Sequence, residues 1–325
     1  MKGPLAALAL LAAAGWAPAQ AAAVRAVVVG IDDYEHIGKL EGAVNDARDI
    51  ARALEGRGAE VTLLLDRAAT RGAVVAAVRE AMARSAPGDA VVFTFAGHGA
   101  QHPEALPGDE DDGMDESFIF AGYDARGAAA GERLRDNDVA VLLAEAPADV
   151  GVFFVADSCH SGTMTRAPDG PAALGRVRWL EGGPIEDDPL EPPPVWSFRE
   201  EMATQRNVVF AAAAREDQLT PEVLIDGERR GALSYTVARA FEGAAAGSED
   251  IASLDDVRSF VREGVRSWSE ARQTPDVVYR VETVTRMAGV SPAQDALRRL
   301  FNPGVDAAEP APAPPAPAAL APADP

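Results

Sequence analysis

Two side chains that could perform nucleophilic chemistry each follow an apolar run of this 325-residue chain. His98 lies between two glycines after residues 90–95, and Cys159, the only cysteine, comes 61 positions later, after residues 152–156. A cysteine thiol has an ordinary pKa of about 8.5, so it needs a neighbouring base to become a nucleophile. A histidine supplies that base and later protonates the leaving amine. The pair therefore predicts acyl-transfer chemistry.

The surroundings of Cys159 favour a reactive thiol, although a lone cysteine is more often an inert core residue. It lies in a polar turn that ends at Gly162, directly after a predicted buried strand. His160 is the alternative base, but adjacent residues of an extended chain point to opposite sides, so its ring should face away from the sulfur. His36 and His102 lie in no supporting motif, and we expect both at the surface.

Apolar periodicity predicts the elements that must position this pair. Short apolar runs alternate with segments of helical spacing, which favours an α/β fold with a mostly parallel central sheet and helices on both faces. In such sheets, sites gather beyond the carboxyl ends of the strands, so His98 and Cys159 should emerge at one edge. The predicted strands cover residues 24–31, 61–65, 90–95, 152–156 and 208–213, and predicted helices begin near residues 43, 70, 136 (with Asp136 as the cap), 234, 255 and 291.

The composition is that of an acidic globular protein. Hydrophobic residues make up 47% and charged residues 25%, which predicts a packed core. Aspartate plus glutamate (51) exceed lysine plus arginine (30), and the net charge of -21 argues against a nucleic-acid-binding face. A solvated acidic surface is the simplest interpretation. The single cysteine excludes an internal disulfide and an all-cysteine metal cage.

Three segments differ in composition from the predicted folded domain, residues 24–301. Residues 1–23 have a basic residue, a short apolar stretch and small residues, which predicts a signal peptide and a secreted or periplasmic protein, with an uncleaved amphipathic anchor as the alternative. Residues 302–325 are rich in alanine and proline and predict a disordered tail. Residues 163–205, which separate residues 24–162 from 206–301, predict a long surface loop or a processing linker.

Five segments resemble those of one enzyme superfamily, in its order along the chain. The segments FAGHGAQ (95–101) and DSCHSG (157–162) resemble the catalytic dyad of the caspase and metacaspase cysteine peptidases, and LEGAVNDA (40–47), GDEDDGMDE (108–116) and GALSYTVARA (231–240) extend the match. The caspase pentapeptide around the cysteine is absent, which favours the bacterial metacaspase-like (orthocaspase) branch. The resemblance implies a caspase-like three-layer sandwich and a cysteine endopeptidase.

The resemblance also implies the roles of individual residues. Cys159 would attack the scissile carbonyl and His98 would act as acid and base, with no third triad member. The backbone amides of Gly99 and Cys159 would stabilise the oxyanion, because charge that develops on oxygen needs preorganised donors. No cofactor is required for this chemistry.

Two aspartates predict the substrate preference. Asp157 lies two residues before Cys159, so strand alternation puts its carboxylate on the side of the thiol. The resemblance implies that Asp157 and Asp46 form the floor of a pocket for arginine or lysine, with cleavage after those residues. The alternative is that Asp46 only begins its helix, where an acid suits the helix dipole, while Asp157 pairs with an internal arginine.

Calcium, self-cleavage and partners complete the expectations. Asp112 and Asp136 resemble the acidic calcium ligands of metacaspases, and hard oxygen ligands suit calcium. Arg166, Arg176 and Arg178, with Arg199, are basic sites for self-cleavage within 163–205. We expect protein or peptide substrates with basic residues, no nucleic acid, no membrane span after signal removal, and a monomer. A catalytically silent caspase-fold scaffold and an acidic calcium-binding module are the alternative functions.

Overall fold

The structure, a computed structural model, describes most of the predicted domain. The described residues are 22–103, 114–124, 131–159, 177–181, 205, 207–215, 218–246, 252–279 and 291–302. Residues 1–21, Asp112, His160, and the predicted tail from residue 303 lie outside the described residues, so the predictions for them stay predictions. In the described ranges, no helix has the length and apolar character that crossing a membrane requires.

Strands and helices alternate along the described chain, as the apolar periodicity predicts. The strands are β1 (Val24–Gly30), β2 (Glu60–Leu65), β3 (Ala90–Ala96), β4 (Gly99–Pro103), β5 (Met114–Ile119), β6 (Arg133–Arg135), β7 (Gly151–Asp157), β8 (Trp179–Glu181), β9 (Val208–Ala212), β10 (Val223–Ile225), β11 (Glu228–Arg230) and β12 (Asp276–Tyr279). The helices are α1 (Ala43–Glu55), α2 (Arg71–Ala83), α3 (Asp136–Ala144), α4 (Ala232–Phe241), α5 (Leu254–Trp268) and α6 (Pro292–Leu300).

The central sheet has six strands in the order β12-β9-β7-β3-β1-β2. All neighbours are parallel except β12, which runs antiparallel to β9. The inner strands β3 and β7 are buried along their whole length, which is why their sequences are continuous apolar runs rather than alternating ones. Consecutive side chains point to opposite faces, so Phe154 packs into one hydrophobic cluster and Phe153 into the other.

Helices cover both faces of this sheet. Helices α2 and α3 bury their apolar residues in the cluster on one face, while α1, α4, α5 and α6 bury theirs in the cluster on the other. The result is the three-layer sandwich that the sequence predicts. The prediction that Asp136 caps α3 is wrong by one residue. Asp136 is the first residue of α3, and Arg135 occupies the N-cap position with an extended backbone.

A second sheet, which the sequence does not predict, lies beyond the carboxyl edge of the first. Its four strands have the order β6-β5-β4-β8, and β10 and β11 form a separate hairpin. His102 lies on β4 and is fully buried, with the Arg133 guanidinium nitrogen 3.3 Å from its Nδ1, so the expectation of a surface residue is wrong. His102 lies opposite Asp115 in the pairing of β4 with β5, and β4 also pairs with β8, which is distant in sequence. His36 is exposed as expected.

Candidate active site

His98 and Cys159 leave the central sheet at the same edge. The register of β3 and β7 pairs Ala96 with Asp157, so each chemical side chain lies two residues beyond a paired position on neighbouring strands. Gly97 lets the Tyr34 side chain approach the backbone after β3, because a Cβ at this position would lie 2.6 Å from the Tyr34 hydroxyl oxygen. The predicted convergence at one edge therefore follows directly from the strand register.

The imidazole of His98 is held in one orientation. Its Nε2 lies 2.8 Å from the Gly38 carbonyl oxygen, and its backbone N–H donates to the Tyr34 hydroxyl at 2.7 Å. A carbonyl oxygen only accepts, so Nε2 carries the hydrogen and Nδ1 keeps its lone pair. Within the described residues Nδ1 has no hydrogen-bond partner. Burial lowers the pKa of His98 to about 4, and the charge of Arg178 acts in the same direction.

The thiol of Cys159 is fully buried against the backbone of Thr220. The Thr220 N–H donates to Sγ at 2.6 Å, and the Thr220 carbonyl oxygen lies 3.5 Å from Sγ. Burial raises the pKa of Cys159 to about 11, and the Thr220 hydrogen bonds oppose part of that shift. In this state the thiol and the imidazole are both neutral near pH 7.

Arg178 fills an acidic pocket beside the thiol. Its guanidinium is fully buried and contacts three carboxylates. Nη1 lies 3.0 Å from Asp157 Oδ1 and donates to the Asp157 carbonyl oxygen at 2.9 Å. Nη2 donates to Asp46 Oδ2 and lies 3.5 Å from Glu222 Oε1. Asp46 and Asp157, separated by more than a hundred residues, therefore meet at one cation as the pocket interpretation requires.

Backbone amides from two distant segments orient the carboxylates. The Gly231 N–H donates to Asp46 at 2.9 Å, and the Ser234 N–H, at the start of α4, donates to Asp157 Oδ2 at 2.8 Å. The N–H groups of residues 41 and 42 donate to Glu222. Burial raises the pKa of Asp46 well above its ordinary value, opposed by Arg178. The carboxylates are thus held by backbone N–H groups as well as by Arg178.

The pocket also shows the features of the alternative interpretation, in which Asp46 begins its helix and Asp157 pairs with an internal arginine. Asp46 does lie in the first turn of α1, and Asp157 does pair with an internal arginine. That arginine belongs to the segment between residues 163 and 205, and at Arg178 the expectation of a surface loop does not hold. An internal salt bridge accounts for the position of the Arg178 side chain, but it does not account for the hydrogen bonds that the Arg178 backbone makes.

The carbonyl oxygen of Arg178 accepts two backbone hydrogen bonds at the edge of the cleft. The backbone N–H of Gly99 donates to it at 2.8 Å, and the N–H of Cys159 donates to it at 3.2 Å. These are the two amides that the sequence analysis assigns to the oxyanion. The N–H of Arg178 in turn donates to the Thr220 carbonyl oxygen at 3.2 Å.

Comparison with known protein families decides the affiliation of this fold and site. The caspase domain family matches residues 23–284, which is most of the chain. The chain belongs to the caspase domain family of cysteine peptidases. The family assignment covers the central sheet, the cleft edge and helices α1 to α5.

Individual relatives of this caspase-domain chain are metacaspases. Metacaspase-1 of Pyricularia oryzae is 27% identical over 256 residues, which cover 66% of this chain and 63% of the relative. Metacaspase III c of Phaeodactylum tricornutum is 34% identical over 162 residues, covering 46% of each protein. The chain thus spans less than two thirds of the length of the first relative and less than half of the length of the second. The crystal structure of protein GSU0716 from Geobacter sulfurreducens shares the fold, with a TM-score of 0.57, 23% identity, and coverage of 80% of this chain and 95% of that one.

Only one of the two predicted calcium residues of this caspase-domain chain lies in the part that the structure describes. Asp112 lies outside it, and Asp136 is buried at the start of α3, where its Oδ1 accepts the Asn137 N–H at 2.8 Å. Among the described residues, no group of three or more histidine, cysteine or acidic side chains could hold a metal ion. Calcium binding therefore stays a prediction.

Three residues of the site were not predicted from the sequence. Thr220 and Glu222 flank a proline just before β10, and Tyr34 lies in the loop after β1. Each acts through a tertiary contact: Thr220 on the thiol, Glu222 on the arginine and Tyr34 on the backbone of His98. The one local signal is an acid between proline and the apolar strand β10, which is an unusual place for a buried charge.

Proposed function

We propose that this protein is a cysteine endopeptidase that cuts after arginine, and less efficiently after lysine, with Cys159 as nucleophile and His98 as acid and base. One observation carries the proposal. Arg178 places its side chain in the acidic pocket while its carbonyl oxygen receives the N–H groups of Gly99 and Cys159. The substrate residue before the cut bond must meet both conditions at once for the carbonyl to be polarised in a productive position.

The hydrogen bonding of His98 supports its role as the base. Because the Gly38 carbonyl fixes the hydrogen on Nε2, the free lone pair of Nδ1 is the one available to take a proton. With the cleft filled, both the thiol and the imidazole are neutral. The thiol proton therefore has to pass to Nδ1 as Sγ attacks the carbonyl carbon, after which His98 donates it to the leaving amine.

The geometry of the pocket favours arginine over lysine. The two terminal guanidinium nitrogens engage different acids, Nη1 with Asp157 and Nη2 with Asp46 and Glu222. A guanidinium is a planar fork that can bind both sides at once, whereas the single ammonium nitrogen of lysine binds as a point charge. Three carboxylates also exclude an acidic residue from this pocket by like-charge repulsion.

Covalent labelling tests the proposal. A peptidyl fluoromethyl ketone that ends in arginine is incubated with the wild-type chain and with Arg178→Gln, in which the chain's own guanidinium no longer fills the pocket. We expect one adduct on Cys159 by mass spectrometry, none in Cys159→Ala, and none from the matched probe that ends in aspartate. Absence of the arginyl adduct from both chains contradicts the nucleophile, and equal labelling by the aspartyl probe contradicts the pocket.

Two further expectations belong to this proposal. The apolar stretch within residues 1–23 supports export to the periplasm or the medium, which N-terminal sequencing of the protein recovered from a bacterial host tests. Calcium as an activator is tested by adding and chelating the ion while the hydrolysis of an arginyl reporter is measured. A chain that keeps its original N-terminus contradicts the first expectation, and an unchanged rate contradicts the second.

A further inference from the structure

The acid that lies one helical turn after Asp46 on α1 binds the residue that precedes Gly231. Asp49 accepts a hydrogen bond from Nε of Arg230 at 2.7 Å, and both residues are buried. The next N–H along the chain, that of Gly231, donates to both carboxylate oxygens of Asp46 at 2.9 Å. Residues three apart on a helix share a face, so one face of α1 binds two consecutive residues at the end of β11.

The Arg230 guanidinium also closes the β10–β11 hairpin to which it belongs. Nη1 donates to the Ile225 carbonyl oxygen at 2.7 Å, and Nη2 donates to the Glu228 carboxylate at 2.6 Å. Nε is the remaining nitrogen, and it reaches across to Asp49 on α1. The planar guanidinium therefore joins both strands of the hairpin to one helix, which a single ammonium point charge cannot do.

Both ends of this hairpin contribute to the pocket that holds Arg178. Glu222 lies just before β10, with its Oε1 3.5 Å from the guanidinium, while Gly231 follows β11 and binds Asp46. Gly231 also lies against Asp157, because a Cβ at this position would overlap that carboxylate. The placement of the hairpin on α1 therefore sets the spacing of the carboxylates in the pocket.

Asp49 and Arg230 do not contact the guanidinium in that pocket themselves. In the described part of the chain, the ion pairs of Arg178 are with three other carboxylates. Asp49 and Arg230 instead line a cavity of about 680 Å³ whose wall includes the exposed Arg52. Any effect of this pair on an arginine in the pocket must therefore pass through the hairpin and α1.

We propose that Asp49 and Arg230 are positioning residues: their ion pair holds the β10–β11 hairpin on α1 and thereby sets the preference of the pocket for arginine over lysine. This inference rests on the proposed function, because it concerns the selectivity of that site. Arginine is bound from two sides, and a displacement of about 1 Å would weaken one of them. Lysine binds as a point charge and tolerates such a displacement better.

The test measures kcat/KM for an arginyl and a lysyl reporter in the full-length chain. In Arg230→Gln we expect the arginyl value to fall on the order of tenfold, and the ratio of arginyl to lysyl values to fall from about ten to about three. This ratio does not depend on the fraction of the chain that is folded, so a loss of stability alone leaves it unchanged. Arg230→Lys keeps the charge but loses the fork, and its ratio should lie between those of wild type and Arg230→Gln.

Arg52→Gln is the matched control for the charge on Asp49. Arg52 pairs with the same carboxylate, but both residues belong to α1, so this pair holds no second element in place. The variant should keep the wild-type ratio, and a loss equal to that of Arg230→Gln contradicts the role of the hairpin. Asp49→Asn combined with Arg230→Gln should lower the ratio no further than either change alone, because the two side chains act as a unit. Additive losses overturn the pair.

Amide hydrogen exchange at Gly231 gives a readout that needs no turnover. The Gly231 N–H should exchange on the order of tenfold faster in Arg230→Gln than in wild type, and at the wild-type rate in Arg52→Gln. An unchanged exchange rate in Arg230→Gln contradicts the route through the hairpin.

The same measurements separate failure of this inference from failure of the proposed function. Wild type that prefers arginine, with a ratio that Arg230→Gln leaves unchanged, overturns this inference and leaves the peptidase standing. Absence of reporter hydrolysis and of Cys159 labelling in both wild type and Arg178→Gln overturns the peptidase, and this inference with it.

Discussion

Two acidic regions of this molecule are both buried. They differ in how far along the chain their hydrogen-bond and ion-pair partners lie. In the cleft, Asp46, Asp157 and Glu222 come from three separated segments and share one guanidinium and several backbone amides. At the start of α3, Asp136 and Asp138 find partners one and three residues away. Asp138 pairs with Arg135, and together they form a capping arrangement at the helix N-terminus.

This difference separates the proposed binding site from a structural cap. Acids at a helix N-terminus are stabilised by the first-turn N–H groups and the helix dipole, so they need no further explanation. Three buried carboxylates around one cation carry an excess of negative charge, which costs free energy unless a cation occupies the site. The carboxylates of the cleft therefore depend on the Arg178 guanidinium, which is the arrangement that the proposed arginine pocket needs.

The largest expected effect comes from Asp157→Asn. Removing one partner of a buried ion pair costs about 3–5 kcal/mol, which corresponds to a loss of roughly 10² to 5 × 10³ in kcat/KM for an arginyl reporter. Asp138→Asn is the matched control from the α3 region. It should change the unfolding temperature and leave kcat/KM within about twofold of wild type. Equal losses in both variants contradict the distinction between the two regions.

Acid should weaken the cleft through His98. Its pKa falls from an ordinary value of about 6.5 to about 4 in the folded protein, so the unfolded chain binds more protons between these values. Stability is therefore fully present above pH 6.5 and is lost as pH falls toward 4, by about 2 to 3 kcal/mol at pH 4.5. Urea unfolding at pH 7.5 and 4.5 should show this loss in wild type and in His36→Asn, an exposed control, but not in His98→Asn. The same loss in His98→Asn would falsify the assignment.

Gly231→Ala should narrow the pocket. A Cβ at this position collides with the Asp157 carboxylate and lies 2.6 Å from Nη1 of Arg178. Overpacking costs about 1–3 kcal/mol, so kcat/KM for the arginyl reporter should fall roughly 10- to 100-fold. Gly72→Ala, on α2 where a Cβ meets nothing within 4 Å, is the control and should leave turnover unchanged. Full activity in Gly231→Ala contradicts the position of the pocket wall.

The smallest effect is expected for Glu222→Gln. Its carboxylate is the farthest from the guanidinium, at 3.5 Å, and a glutamine oxygen can still accept a backbone N–H from residue 41 or 42. We expect kcat/KM for the arginyl reporter to fall on the order of tenfold, with a smaller loss for the lysyl reporter. Identical losses for both reporters contradict the role of Glu222 in selecting arginine.

The sequence predicted five of the six strands of the central sheet, all but β12, and the position of His98 and Cys159 at one sheet edge, because each of these has a local signal. The apolar runs of β1, β3 and β7 have no other stable place than a buried sheet, and glycines mark the turn that carries His98. The strands β4, β5 and β6 are polar and short, so their pairing, and with it the burial of His102, was not predictable. Long-range pairing decides such elements.

The sequence predicted two of the three carboxylates of the pocket, Asp46 and Asp157, and missed Glu222. Asp157 follows from strand alternation, whereas Glu222 reaches the pocket only because the hairpin β10–β11 packs beside α1. Arg178 was one of several basic positions in its segment, and nothing in the local sequence distinguishes it from Arg176. Its selection depends on the fit of the backbone to Gly99 and Cys159.

The most direct test of the account compares kcat/KM for three peptides that differ only in the residue before the cut bond. The enzyme should cut the arginyl peptide fastest, the lysyl peptide about tenfold more slowly, and the aspartyl peptide not detectably, with all cleavage lost in Cys159→Ala. Comparable cleavage after aspartate, or cleavage that survives in Cys159→Ala, would contradict it.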